Sequence, residues 1–330
     1  MDRLPLGFYL PAVGTLFNAS SSPAQQLRDI AHAAVRHGLT SAWVVDHLLP
    51  APRLYTDAWL EAFQTLSCIA DVGELDLGTG VLVLPLRNPI GVARAVASLQ
   101  QLSGRRLRLG VGTGWDVKEF EAVGRSLADR GALTDEAMDI IDLMFSGGGS
   151  YAGRFNQFVD IDPGALGQPP EVWVGGGGQL AHANSVERPR LARSVAKRIL
   201  RTKRWAIRPT ASIENAENDR EDLHKVASEM EMSIADLRIV HFNFLHLVET
   251  ADPQKARLEQ MEQFYRVMSR QRGPEYFEGC YMIGTIDEVR SRIMAWRDFG
   301  VQELILHPFQ NAVEQFDLWA KYLGDLCSIS

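Results

Sequence analysis

Two glycine clusters and a few histidines carry the residue types and spacings from which chemistry could be built. In "LRLGVGTGWDVKEFEAVG" (107–124) Gly110, Gly112 and Gly114 alternate directly after a short apolar run. A backbone without Cβ atoms at a strand end lets a ligand approach closely, and a tight turn is the competing reading. The dinucleotide fingerprint needs G-x-G-x-x-G opening a helix. Here the spacing is G-x-G-x-G followed by Trp115 and Asp116, so that assignment is weak. In "VWVGGGGQLAH" (172–182) Gly175, Gly176, Gly177 and Gly178 offer successive N–H groups that can wrap an anion. A helix from about Gln179 would add its positive end. A phosphate site is the functional reading of this run and a flexible linker the bland one. In "WVVDHLLP" (43–50) His47 follows Asp46, and an imidazole titrating near neutral pH suits a proton donor or polar contact. A structural, hydrogen-bonded histidine is its alternative.

These groups need elements to hold them. Apolar, β-branched or aromatic runs predict strands at 6–10, 41–45, 75–84, 107–111, 171–175, 205–208, 238–248 and 302–306. Helical periods lie between them. In 23–38, Leu27, Ile30, Ala31, Ala34 and Val35 form one stripe ended by Gly38, and in 285–300 Thr285 and Glu288 read as a capping box ended by Gly300. Strand–helix alternation implies parallel strands with right-handed crossovers. Eight such units predict an α/β fold, a single (β/α)8 TIM barrel over residues 1–330 with loop insertions at the C-terminal rim, the longest excursions falling at 146–170 and 209–235.

A barrel places its chemistry where strands finish. Those ends are Asp46-His47, Leu84-Pro85, Gly112 to Trp115, Gly175 to Gly178, Arg208-Pro209-Thr210, His246 and His307. Gly78 and Gly80 within 77–89 imply a bulge or a close approach. Trp115 reads equally as a stacking platform for a planar ring and as a cap on the barrel mouth. The basic stretch 187–205 reads as a solvated outer helix, or as one whose ends neutralise an anion.

A net charge of −7 argues against a general nucleic-acid binder. Cys68, Cys280 and Cys327 lack C-x-x-C spacing, which fits a reducing cytoplasm and neither a disulfide framework nor a zinc site. The N-terminal apolar run is too short for a signal peptide, and no window approaches 18 consecutive apolar residues, so no membrane span is expected. No H-E-x-x-H, G-x-S-x-G or P-loop lysine occurs, so no metal site and no hydrolytic machinery are expected. A glycine-rich rim with histidines and no strong nucleophile suits a cofactor that carries the hard chemistry.

Taken in order, "AWVVDHLLP", "LGTGVLVLPLRNP", the segment around "LRLGVGTGWDVKEFEAVGRSLADRGALTDEAMDII", "VWVGGGG" and "YMIGTIDEVRSRIMAWRDFGVQELIL" resemble the bacterial luciferase-like flavin oxidoreductase superfamily. The resemblance implies a barrel binding reduced FMN or coenzyme F420 at the C-terminal rim. It would put His47 beside the isoalloxazine, with Asp46-His47 looking like the F420-dependent branch. The bulge at Gly80-Val81 would press on the rear of the ring, with a non-prolyl cis peptide there in the F420 branch. Gly112, Thr113 and Gly114 would skirt the ring or ribityl chain, Trp115 the ring edge, and Gly175 to Gly178 the phosphate.

Two departures stand out: Trp115 replaces the glutamate that some F420 dehydrogenases use as proton donor, and Thr202-Lys203-Arg204-Trp205 replaces a frequent Ala-Asp-Gly-Trp. The lead expectation is a monooxygenase using reduced FMN and O2 on a small organic substrate, with His47 or His246 managing protons and a partner flavin reductase supplying the reduced cofactor. Hydride transfer with F420, without O2, is the alternative, and a non-catalytic flavin-binding homologue is an alternative of another class. A homodimer is expected from the same resemblance.

Overall fold

The computed structural model describes residues 3–50, 55, 57–178, 190–270 and 273–330. Its strands in chain order are β1 (Leu4–Tyr9), β2 (Ser41–Val44), β3 (Asp76–Thr79), β4 (Leu82–Val83), β5 (Arg108–Gly112), β6 (Gly149–Ala152), β7 (Gln157–Ile161), β8 (Glu171–Gly176), β9 (Arg204–Ile207), β10 (Arg238–Phe244), β11 (Glu303–His307) and β12 (Cys327–Ser328). The main sheet runs β11-β10-β9-β8-β5-β3-β2-β1, and β11 pairs with β1 to close it. Every barrel pairing is parallel, as in Leu6 with Leu304 and Val174 with Trp205. The expected eight-stranded TIM barrel is therefore the observed fold, with β4 extending the third strand beyond an irregularity at Gly80-Val81 and β12 paired on β1.

Local sequence explains the main helices. α1 (Pro23–Arg36) starts where Ser22 accepts the Gln25 N–H and stops before Gly38, whose φ is +76°. The other helices are α2 (Ala62–Ser67), α3 (Pro89–Ser103), α4 (Val117–Ala122), α5 (Arg130–Phe145), α6 (Arg193–Thr202), α7 (Ile213–Glu229), α8 (Pro253–Val267), α9 (Pro274–Cys280), α10 (Ile286–Phe299) and α11 (Ala312–Leu323). α10 carries the expected capping box of Thr285 and Glu288, and Gly300 ends it at φ +102°. Leu, Ile, Val and Ala side chains fill the layer between strands and helices, while Tyr9, Trp43, Trp173, Val240, Phe242 and Ile305 form a separate cluster inside the barrel.

The 146–170 excursion is the hairpin β6–β7, and its place differs from the expectation of a rim insertion. It follows α5 and precedes β8, so it leaves from the strands' N-terminal end. Glu136 on α5 pins it by accepting the N–H groups of Arg154, Phe155 and Asn156. Most of 209–235 is the regular barrel helix α7, not a loop.

The basic stretch 187–205 supplies α6, and its charges are spent on neighbouring helices. Arg198 is buried against Asp135, Arg201 pairs with Asp139 and Asp142, and Arg190 with Asp222. The expected helical start near Gln179 lies outside the described residues.

Candidate active site

Val81 is the centre around which the rim is assembled. The Gly80–Val81 peptide is cis and not prolyl, at the position the resemblance indicated. A Cβ on Gly112 would lie 2.6 Å from Val81 Cγ2, one on Gly175 2.8 Å from Val81 Cγ1, and one on Gly110 would overlap the Thr79 carbonyl. The bare backbones at the ends of β5 and β8 thus seat the Val81 side chain. Gly80 is bare for a second reason: a Cβ there would come within 2.7 Å of the Tyr9 hydroxyl and 2.9 Å of Phe242. Tyr9 Oη donates to the Gly80 carbonyl at 2.7 Å, tying the platform to the aromatic layer below it. Gly114 needs its φ of +72°, and Thr113 sits beside it, half-buried, at the same strand end.

Adjacent residues Asp46 and His47 point to different surroundings, as residues leaving a strand do. Asp46 is buried, accepting the Val83 N–H at 2.8 Å and pairing with Arg87 at 2.6 Å. Its side chain therefore braces the β4 segment. His47 lies 3.3 Å through Nδ1 from Glu119 Oε1, and its ring centre is 5.1 Å from Tyr55 and 5.6 Å from Trp115. Trp115 is 44% exposed, which keeps one face of its indole open at the rim.

Glu119 was missed as a site residue by sequence reasoning. It is buried on α4, where Asp116 caps the helix, and its Oε1 also accepts the N–H groups of Leu48 (2.6 Å) and Leu49 (3.1 Å). Burial pushes its carboxyl up. The hydrogen bond and charge of His47 and the two N–H groups outweigh that and hold it below the usual range. With Glu119 as acceptor, His47 Nδ1 is the donor and Nε2 is left for whatever occupies the mouth. The available signal was the glutamate in "WDVKEF", one helical turn beyond the cap.

The other histidines separate. His307 ends β11 wholly buried among Tyr9, Trp59, Phe244 and Phe309, with ring centres 5.0–6.1 Å away. Its Nδ1 accepts the Phe309 N–H at 3.0 Å, which leaves Nε2 carrying the proton with no partner. Burial lowers its pKa to about 3, so it is neutral. Trp59 Nε1 is a second buried donor without a partner in this wall. Tyr55 links the two sides, 5.1 Å from His47 and 5.5 Å from Trp59. His246 stands apart: its Nε2 faces Glu259 of α8 at 3.7 Å, and burial lowers its pKa. The structure does not bring it into the His47–His307 cluster.

What the ring end of this mouth offers a planar cofactor is the Val81 platform, the half-exposed Trp115 indole and the His47 imidazole beside it. The anion end is different. Gly178 N–H points at Asp219 Oδ2 at 2.5 Å, so a carboxylate of α7 already holds the group expected to meet a phosphate. Gly177, at φ +126°, leaves room for that carboxylate, and Gly176 for Val195.

The comparisons agree with this geometry. The protein-family model described as luciferase-like monooxygenase matches residues 4–303. An F420-dependent glucose-6-phosphate dehydrogenase of Kribbella flavida is 36% identical over 166 residues, 46% of this chain and 48% of the relative. The chain thus spans about half the length of the curated relatives it matches. Monooxygenase RslO1 from Streptomyces bottropensis superposes with a TM-score of 0.72 at 20% identity, covering 98% of this chain and 99% of that one. An F420-dependent secondary alcohol dehydrogenase in complex with an F420-acetone adduct does so at 0.74 and 16%, with the same coverage. At those identities the likeness establishes the shared barrel. With the family model spanning nearly every barrel strand, the chain belongs to the luciferase-like monooxygenase family.

Proposed function

We propose that this chain is a monooxygenase using reduced FMN and O2 on a small apolar organic substrate. The observation that carries the reading is the buried aromatic wall that Tyr55 joins to His47. Trp59, Phe244, Phe264, Tyr281 and Phe309 pack into one buried cluster around a neutral His307. An apolar wall with few polar groups suits an apolar substrate, and excluding water protects reactive oxygen chemistry. Reduced flavin would supply the oxygen-activating step. Gly80-Val81 and the Gly112–Gly114 edge would carry its ring, and Trp115 would cover the outer face. His47, oriented by Glu119, would hold or deliver a proton at Nε2. His307 Nε2–H and Trp59 Nε1–H would take acceptor atoms of the bound molecules. Asp46 would act through Val83 and Arg87 on the platform.

Hydride transfer with F420 remains the second reading, favoured by one observation. Trp115 occupies the position of a proton-donating glutamate, yet Glu119 reaches His47 from the next turn and so places an acid–imidazole pair at the mouth. A separate flavin reductase as electron source, a homodimer and a reducing cytoplasmic setting belong to the proposal; no helix among the described residues is long and apolar enough to cross a membrane.

The test is an anaerobic titration of the purified protein with FMN, reduced FMN and F420, followed by admission of O2. Preference for reduced FMN with O2 uptake above the free-flavin rate supports the lead. Tight F420 binding with FMN ignored replaces it with hydride transfer, and flavin retention without enhanced O2 uptake replaces it with a binding protein.

A further inference from the structure

Asp219 is the one group at the mouth whose charge opposes the ligand proposed for it. It is 0% exposed, its Oδ2 holds the Gly178 N–H at 2.5 Å, and its Oδ1 has no hydrogen-bond partner among the described residues. The Trp205 indole closes the same corner, donating from Nε1 to the Gly176 carbonyl at 3.2 Å. A buried acceptor with an empty lone pair beside a run of glycine amides is a vacancy for a donor. A phosphate has none to give in its ionised form. It competes for Gly178 N–H and repels the carboxylate.

Resting on the FMN or F420 reading above, we infer that Asp219 is a phosphate-binding residue in its protonated form. The carboxyl takes one proton from solvent on binding, releases Gly178 N–H to the phosphate, and donates its own O–H to a phosphate oxygen. One hydrogen bond is exchanged and one gained, and the proton taken up removes the negative charge of Asp219 as the phosphate brings its own. The surroundings make the protonated form accessible. Burial raises the Asp219 pKa to about 6, against the lowering by the Gly178 N–H, the Arg208 guanidinium and the Leu191 amide. Asp222, on the same helix, raises it further, and its own charge is met by Arg190 at 2.8 Å. The β8 end contributes glycine backbone, β9 the Trp205 indole, and Arg208 just beyond β9 a positive charge. The ligand class is a cofactor carrying a phosphate ester, and the affinity falls as pH rises above the Asp219 pKa.

The experiment is calorimetric titration at pH 7.5 in two buffers of different ionisation enthalpy, with FMN, F420 and riboflavin as probes. F420 carries its phosphate as a diester, which does not titrate near neutrality, so proton uptake with it reports on the protein. Wild type should take up close to one proton with whichever phosphorylated cofactor binds and none with riboflavin. Its affinity for that cofactor should weaken about tenfold per pH unit above pH 7. Asp219→Asn should abolish the uptake and flatten that dependence, and Asp219→Ser gives the same readout should the amide variant fold poorly. Uptake that persists unchanged in both variants, or a pH-independent wild-type affinity, overturns the inference. Failure of all three probes to bind removes the cofactor reading itself, and the inference with it.

Discussion

The two ends of the barrel handle polar groups in opposite ways. At the N-terminal end Arg108 spans Asp76 (2.6 Å) and Glu303, while Glu303 also accepts from Thr40 and Ser41. A cavity of about 470 Å³ opens there, lined among others by Arg105, Arg108, Asp76, Arg238 and Glu303. Although roomy, this end keeps its charges in ion pairs with one another, so it reads as a plug. At the C-terminal end the pairs Asp46–Arg87 and His47–Glu119 flank an aromatic wall, and there His307 Nε2, Trp59 Nε1 and, further round, Asp219 Oδ1 are buried without partners among the described residues. Polar groups left unsatisfied in a native fold mark the place where something else binds. Trp173 Nε1 and Arg204 Nε at the N-terminal end are also buried without partners among the described residues, so what separates the two ends is their setting: ion pairs surround the polar groups of one, and aromatic rings the His307 and Trp59 donors of the other.

The largest effect is expected from Arg108→Ala, which strips the plug and leaves the buried Glu303 without its cation while Asp76 keeps Arg105 at 2.5 Å. A loss of about 3 kcal/mol is expected in denaturant unfolding, with cofactor affinity below the melting transition unchanged. A fall in affinity as large as the fall in stability would mean the two ends are coupled.

Glu119→Gln tests the other end. Glu119 is a positioning residue, so turnover should drop about 10–100-fold, mainly in kcat, with the pH–rate profile displaced. A variant with a normal pH profile and lower stability would reduce Glu119 to a brace for Leu48 and Leu49.

Smallest are the pH effects on stability, and their signs differ between groups. His307 and His241 both sit at about pKa 3 through burial, well below the usual 6.5. The unfolded chain therefore binds protons that the native one does not, and stability present above pH 6.5 is lost as pH falls toward 3. Asp219 is raised from 3.8 to about 6 by burial, so its contribution is present below pH 3.8 and lost as pH rises through 6. Melting temperatures of His307→Asn against wild type should show a shallower acid decline. Those of Asp219→Asn should be higher at pH 8 and unchanged at pH 4.

Much of this was legible from local order along the chain. All eight barrel strands, the Thr285 cap and the Gly38 and Gly300 stops follow from period and capping chemistry, which act within one or two turns. His47 at the rim was read the same way, from its place at a strand end. Other features were not legible because their cause lies far along the chain. Glycine spacing showed that Gly110, Gly112 and Gly175 were bare but not that Val81 fills them. That neighbouring Asp46 and His47 leave the strand on different sides follows from the sequence, but not that one braces Val83 and the other meets Glu119. The hairpin at 149–161 had the composition of a rim loop and the chain position of the opposite end.

By itself the sequence determined the alternation of strand and helix, their boundaries to within a few residues, and hence which backbone positions crowd the barrel mouth, since each of these depends on neighbours no more than a turn away. Only the tertiary structure decided which of those positions work together. The partner of His47 lies 72 positions on and that of Gly178 lies 41, distances over which no periodic pattern in the chain carries information about contact. Closing the barrel between β1 and β11 is what places His307 beside Tyr9 and within the same aromatic arc as His47.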